Sequence, residues 1–200
     1  MAKLYFTYSP MNSGKSMMLI ASAHSFKERN IPFLCLKPSI DSRDGENVIH
    51  SRALGDKECI VIHHDTNIYE AINKLIEFAN ISDLQTLKWI LIDEAQFLTE
   101  EHVEQLAKIV DEFNINVKCY GLRTDFRTRL FPGSKRLFEL ADTIEEIKSS
   151  CHCGNKNIVN VRLNEVGEVV TEGEQVLLGS EDKYTTACRK CYYEAINKNK

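Results

Sequence analysis

KLYFTYSPMNSGKS, residues 3–16, passes from an apolar strand through a tight turn into a helix. Residues 9–16 fit the phosphate-loop pattern GxxxxGK[ST], with Ser9 in place of the first glycine. Glycine is favoured there because a tight turn can demand positive φ. Ser9, Pro10, Met11, Asn12, Ser13, Gly14, Lys15 and Ser16 make up a candidate nucleotide site. The turn from Met11 to Gly14 aims backbone N–H groups at phosphate oxygens, with the positive end of a helix behind them. Lys15 supplies a cation for the β- and γ-phosphates, and Ser16 a hydroxyl for Mg²⁺. A GKS tripeptide also occurs in ordinary turns, but the flanking strand and helix supply the context the motif requires.

Outward from this loop, strand and helix alternate to about residue 145. The pattern predicts strands at 3–8, 32–37, 58–62, 87–92 and 116–121. A helix follows the loop over 15–29. A second has Ile68, Ile72, Leu75, Ile76 and Ala79 on one face at the 3.6-residue period. A third begins at Thr99, a suitable N-cap, with Glu100 and Glu101 in its first turn, where the dipole favours acid. LKWILI, 87–92, is apolar throughout, as in a parallel strand covered on both faces. The rhythm implies an α/β fold with a mostly parallel sheet and helices on both faces. Residues 38–58 read as a long mobile loop. Beyond residue 146 short strand-like pieces (IVNVRL, EVVT, QVLL) alternate with turns, giving a small β-rich region and a disordered tail.

The chain has 200 residues, 43% of them hydrophobic, enough for one cored domain with a small appendage. A net charge of −4 gives no sign of a nucleic-acid partner. No apolar run approaches the ~20 residues of a membrane span, and MAKLYFTYS enters a strand with no targeting pattern. A cytoplasmic location is expected. Of seven cysteines, Cys35, Cys59 and Cys119 sit singly in apolar segments as core residues. Cys151-x-Cys153 and Cys188-x₂-Cys191, with 34 residues between them, form two close pairs that can bind Zn²⁺ tetrahedrally. Such a closed site is structural and pins an element with little core of its own. His152, inside the first pair, could replace a cysteine, but its neighbours already satisfy four-coordination; the other histidines show no ligand spacing.

The strand LKWILI ends in Asp93. In a parallel sheet this carboxylate emerges beside the phosphate loop, where it can hold Mg²⁺ directly or through water. Glu94, directly after it, is placed to take a proton from a nucleophile attacking the γ-phosphate. If that nucleophile is water, the protein is an ATPase; if it is a substrate hydroxyl, a kinase. The Asp–Glu pair alone does not choose.

From KLYFTYSPMNSGKS through IDEAQF and GLRTDF to GSEDKYTTACRKCY, the chain resembles the type II thymidine kinases, the cytosolic and bacterial kind. Bacterial members resemble it in opening the loop with Ser and in the CxC half of the cysteine set. The resemblance implies a P-loop RecA-like core over 1–146 and a zinc-binding lasso domain over 147–194, with 195–200 a disordered tail. It implies transfer of the γ-phosphate of ATP to the 5′-hydroxyl of thymidine, with Glu94 as proton acceptor and Lys15 on the phosphates. Ser16 and Asp93 would hold Mg²⁺, and Asp93, Glu94, Ala95 and Gln96 would form the second nucleotide-binding stretch. Asp41 and Arg43 match a family position near the phosphates, with a solvated turn as the alternative. The lasso would cover the base, implying thymidine contacts from Met11, Phe97, Leu122, Phe126 and Phe131. Gln175, Val176, Leu177, Leu178, Gly179 and Tyr184 complete that set. By composition alone Leu122, Phe126 and Phe131 read as core.

Some relatives carry Thr near the base methyl group where this chain has Asn160. Arg123, Arg127 and Arg129 precede FPG, as phosphate-neutralising or salt-bridging groups. The family also implies a homotetramer inhibited by dTTP. The competing reading is a P-loop ATPase acting on nucleic acid through a cysteine ribbon, against which stand the acidic balance and the sparse basic residues near the cysteines.

Overall fold

The computed structural model describes residues 1–39, 47–78, 87–175 and 183–198. Asp41 and Arg43, and the stretch 176–179, lie outside them. In chain order the elements are β1 (Leu4–Ser9), α1 (Lys15–Glu28), β2 (Phe33–Pro38), β3 (Val48–Ser51), β4 (Gly55–Glu58) and β5 (Ile60–Ile62). Then come α2 (Ile68–Phe78), β6 (Trp89–Ile92), a one-turn 3₁₀ helix (Ala95–Phe97), α3 (Glu100–Phe113) and β7 (Asn116–Leu122). The chain closes with α4 (Pro132–Leu140), β8 (Thr143–Glu146), β9 (Val159–Leu163), β10 (Val169–Val170), β11 (Lys183–Ala187) and α5 (Arg189–Lys198).

Six strands form a parallel sheet in the order β5-β2-β6-β7-β1-β8. The two-residue side-chain period splits each strand between two cores. Leu4, Phe6, Leu36, Ile90, Ile92, Val117 and Cys119 face α2, α3 and α4, meeting Ile72, Val103, Leu106, Ile109 and Leu137. Cys35, Leu91 and Tyr120 point the other way, against Leu19, Ile20 and Ala23 of α1. Burial pushes the Cys35 thiol up to about 12 and raises that of Cys119 as well, so both behave as small apolar side chains. α3 starts at Thr99 as its sequence predicts, in a capping box with His102. The His102 amide donates to Thr99 Oγ1 at 3.0 Å, and the Thr99 amide donates to His102 Nδ1 at 3.3 Å. His102 Nε2 must therefore carry the proton it shares with the Thr66 carbonyl at 3.0 Å.

The structure differs from the sequence expectation in five places, the first being β8, a sixth parallel strand beside β1 that the sequence left unassigned. Much of the supposed loop after Pro38 is the antiparallel hairpin β3–β4. It is held by Ile49, 1% exposed against α1, and by Lys37 Nζ, which donates to the Val48 carbonyl at 2.8 Å. The expected strand at 58–62 divides: Glu58 ends the hairpin and Ile60–Ile62 joins the sheet. FPGSKRLFEL, unassigned from sequence, enters α4 with Pro132 at its start, where the missing N–H costs nothing. The expected disordered tail is helical through Lys198, because Tyr192 and Ile196 of α5 pack on Val159, Val161 and Cys188. The last region is otherwise β-rich as expected, an antiparallel sheet β10-β9-β11. No helix among the described residues is long and apolar enough to cross a membrane.

Candidate active site

β1 delivers the chain to the turn and α1 receives it. Positive φ falls at Asn12 (55°) and Gly14 (84°), and Ser9 needs none, which is why Ser serves where the motif has glycine. Ser9 is fully buried, and its Oγ accepts from Lys15 Nζ at 3.2 Å. Lys15 Nζ also donates to the Pro10 carbonyl at 3.1 Å. Burial lowers the Lys15 pKa, and the charges of Glu94 and Asp93 pull it back up. The ammonium is thus held across the mouth of its own loop, facing two carboxylates.

Those carboxylates leave the sheet at the end of β6. Asp93 is 4% exposed; burial, and then the adjacent Glu94 charge, push its pKa up to about 7, while a hydrogen bond with Ser16 opposes the shift. Its Oδ1 is buried with no hydrogen-bond partner. A buried, unpaired carboxylate oxygen beside a serine hydroxyl fits a hard divalent cation, which would supply the missing ligand and charge. Glu94 turns the chain with left-handed backbone (φ 48°, ψ 38°), a strained conformation for a residue without special need of it. Gln96, 1% exposed, donates through Nε2 to Glu94 Oε2 and accepts the Leu122 amide on Oε1 at 2.9 Å. Both ends of that amide are occupied, so Gln96 ties the Glu94 carboxylate to the end of β7.

A cavity of about 550 Å³ opens over this edge of the sheet. It brings together Met11, Asn12, Ser13, Gly14, Lys15 and Ser16 of the loop with Asp93, Glu94 and Gln96. Its far wall holds Phe97, Leu122, Phe126 and Phe131, with Gln175 and Tyr184 from the β-rich region. Ser9, Pro10 and Ala95 do not line it; Ser9 and Ala95 are fully buried. The structure also puts into the wall residues that the sequence reading left without a role there: Lys37, the hairpin residues His50 and Arg52, and Asp125. A lysine closing an otherwise apolar strand was the one available signal for Lys37.

Asp125 organises the approach to the far wall. Its side chain is 1% exposed and pairs with Arg127, whose Nη2 and Nε lie 2.9 and 3.0 Å from Oδ2. Oδ1 accepts the Arg127 and Arg129 amides, both at 2.9 Å, and Oδ2 accepts from Gln175 Nε2 at 3.1 Å. Arg127 therefore takes the salt-bridging role of the two considered. Tyr192 Oη donates to the Phe126 carbonyl at 3.1 Å, and the Arg162 guanidinium lies 5.0 Å from the Phe126 ring centre. Phe126 and Phe131, 1% and 4% exposed, are core residues and cavity walls at once.

The sulfurs of Cys151, Cys153, Cys188 and Cys191 all lie within 4.8 Å of one another, with Cys153 and Cys188 at 3.6 Å. Four thiolates 2.3 Å from a central zinc would be about 3.8 Å apart, so the cluster fits tetrahedral zinc. Backbone N–H groups lower the thiol pKa values of Cys151 and Cys153, the latter to about 6. His152 is exposed and outside the cluster.

A family model described as "Thymidine kinase" matches residues 2–192. The thymidine kinase of Legionella pneumophila is 45% identical over 194 residues, covering 96% of this chain and 90% of its own. That of Pasteurella multocida is 44% identical over 196 residues, covering 98% and 99%. Among solved structures, the Pif1 helicase of Candida albicans overlaps 74% of this chain and 36% of its own with a TM-score of 0.42 at 14% identity, a likeness too loose to bear on function. With the family pattern matched along nearly the whole chain and relatives aligned over 90% and 99% of their own length, the chain belongs to the thymidine kinase family.

Proposed function

We propose that this protein transfers the γ-phosphate of ATP to the 5′-hydroxyl of thymidine, giving dTMP and ADP. The observation that carries the reading is one cavity with two kinds of wall. One is a phosphate loop facing an Asp–Glu pair, and the other is an aromatic shelf suited to a flat base. Lys15 and the loop amides beyond Met11, whose own N–H is taken by Asn160, hold the triphosphate. Ser16 and Asp93 would hold Mg²⁺, which draws charge off the phosphate oxygens when bound. Glu94 accepts the proton of the 5′-hydroxyl as its oxygen attacks phosphorus, and Gln96 keeps that carboxylate in place. Leu122, Phe126 and Phe131 enclose the base, with Tyr184 and Gln175 on the side of the β-rich region. The four cysteines hold structural Zn²⁺.

This reading divides the chain into a nucleotide unit, 1–146, and a zinc-stapled acceptor unit, 147–194. On the strength of the family resemblance it extends to a cytoplasmic homotetramer with dTTP as feedback inhibitor in the acceptor pocket. A nucleic-acid-directed ATPase is not favoured by a thymidine kinase match over residues 2–192. The test is ATP turnover against a panel of nucleosides and against DNA and RNA. Thymidine-dependent formation of a monophosphate is expected; stimulation by nucleic acid without it overturns the reading. Glu94→Gln should lower kcat by about 10²–10⁴-fold, with affinity for a non-hydrolysable ATP analogue nearly unchanged. Near-full turnover in that variant removes Glu94 from the mechanism.

A further inference from the structure

Asn160 sits on β9, the middle strand of the small sheet, opposite Thr186 of β11. It is 3% exposed and lines the cavity. Its Oδ1 accepts the backbone N–H of Met11 at 2.8 Å, and its Nδ2 donates to the Thr124 carbonyl at 2.8 Å. A backbone amide can only donate and a carbonyl can only accept, so the orientation of the Asn160 amide is fixed by its partners. One side chain thus joins three pieces of chain: the phosphate loop, the segment leading to Phe126, and the β-rich region. A second tie lies nearby, where Ser13 Oγ and Ser149 Oγ are 3.1 Å apart, two residues before Cys151.

We infer that Asn160 is a positioning residue that couples the acceptor side of the cavity to the phosphate loop. The inference rests on reading the cavity as a kinase site. The Met11 amide is committed to Asn160 and is not free for a phosphate oxygen. Met11 itself lines the same cavity. An acceptor that settles against Met11 and Asn160 therefore bears on a loop whose phosphate-facing residues, Ser13 to Lys15, begin two positions later. By linkage, a loop ordered by ATP must in turn favour the acceptor by the same factor.

The test measures the affinity of a non-hydrolysable ATP analogue with and without saturating thymidine, in the wild type, Asn160→Leu and Asn160→Asp. Zinc content and thermal melting are followed on the same samples. In the wild type thymidine should tighten the analogue by about fivefold or more. In Asn160→Leu, which matches the size but offers no acceptor, the two affinities should agree within about twofold. Asn160→Asp keeps an acceptor for the Met11 amide but gives up the donor to the Thr124 carbonyl, so it should restore part of the coupling, which a merely structural loss would not allow. Undiminished coupling in Asn160→Leu, or none in the wild type, overturns the inference. Should Asn160→Leu not fold, amide exchange in the wild type decides. The Met11 amide should exchange more slowly than its Ser13 and Gly14 neighbours and slow further with thymidine; exchange at the solvent rate refutes the tie. If wild-type enzyme leaves thymidine unphosphorylated, the kinase reading fails, while the Met11 measurement still reports on Asn160.

Discussion

Gly133→Ala should damage turnover although Gly133 does not line the cavity. The second residue of α4 lies against the 3₁₀ turn that follows Glu94. A Cβ there would stand 2.6 Å from the Leu98 carbonyl oxygen, 2.7 Å from that of Ala95 and 3.1 Å from that of Gln96. Ordinary contact begins near 3.4 Å, so the packing must give by about 0.8 Å, and every obstructing atom is backbone. α4 is not free to retreat, since Ser134 Oγ is tied to the Leu122 carbonyl, to which it donates at 2.6 Å. The turn must then move, and with it Gln96, which holds Glu94. Overpacking of this kind costs about 1–3 kcal/mol, and alanine's better helix propensity returns up to about 1. A net loss of about 1–2 kcal/mol lowers Tm by about 2–8 °C in a chain of this size. A misplacement approaching 1 Å at a proton acceptor is worth about 10–100-fold in kcat. The ATP analogue should bind within about twofold of wild type, because Lys15 and its loop belong to other elements. Circular dichroism melting, steady-state kinetics and analogue titration read the three quantities. Wild-type Tm together with kcat within twofold would show that the contact relaxes elsewhere and that this turn does not position Glu94.

Two further outcomes follow from local chemistry. Removing zinc with a strong chelator should make all four clustered thiols titratable and loosen the small core of Val159, Val161, Ala187 and Tyr192, leaving the parallel sheet folded; unchanged thiol reactivity after chelation would refute the zinc assignment. Glu145 accepts from Lys118 Nζ at 2.8 Å and from Thr7 Oγ1 at 2.9 Å, and Lys118 foremost holds its pKa below the usual carboxylate range. A folded-state pKa below the unfolded one adds stability at neutral pH that disappears as pH falls through the folded value. Glu145→Gln should therefore be less stable at pH 7, by under ~1 kcal/mol for so exposed a pair, with the gap closing below about pH 4. A gap that does not change with pH would rule out the ion pair as its source.

The parts of this molecule that could be read from sequence are those whose side chains repeat at a structural period. WILI, 89–92, is apolar on both faces because both faces are covered, and Asp93 stands out as the first charge after such a run; β1 and β7 keep alternate apolar residues but also carry Thr7, Ser9, Asn116 and Lys118. The hairpin β3–β4 lacks that regularity. Only Val48 and Ile49 are apolar in β3, and β4 is charged, so its place depends on α1 and on Lys37, which no local window contains. FPG before α4 carries the composition of a turn, yet Pro132 starts a helix and Gly133 is there for a close backbone approach. Asn160 shows the same limit at the site. Its position suggested a neighbour of the base, while its two partners, Met11 and Thr124, are 149 and 36 residues away in sequence.

The order of strands explains why a cation and a base so distant in the chain can face each other with room between them. β1, which carries the phosphate loop, and β6, which carries Asp93 and Glu94, are not neighbours; β7 pairs with both. Strands in a sheet are about 4.8 Å apart, so the two ends are separated by about 10 Å rather than one spacing. Adjacent strands would press Lys15 against the carboxylates as a closed ion pair. The inserted strand instead lends its end as a floor. Gly121 is what lets the floor lie flat. A Cβ at that position would stand 3.0 Å from Gln96 Oε1 and 3.1 Å from the Gln96 amide nitrogen. The absence of a side chain lets Gln96 lie across β7, receive the Leu122 amide and hold Glu94. The width of the gap and the aim of the base therefore have one origin, a strand that contributes no charged group of its own at its end.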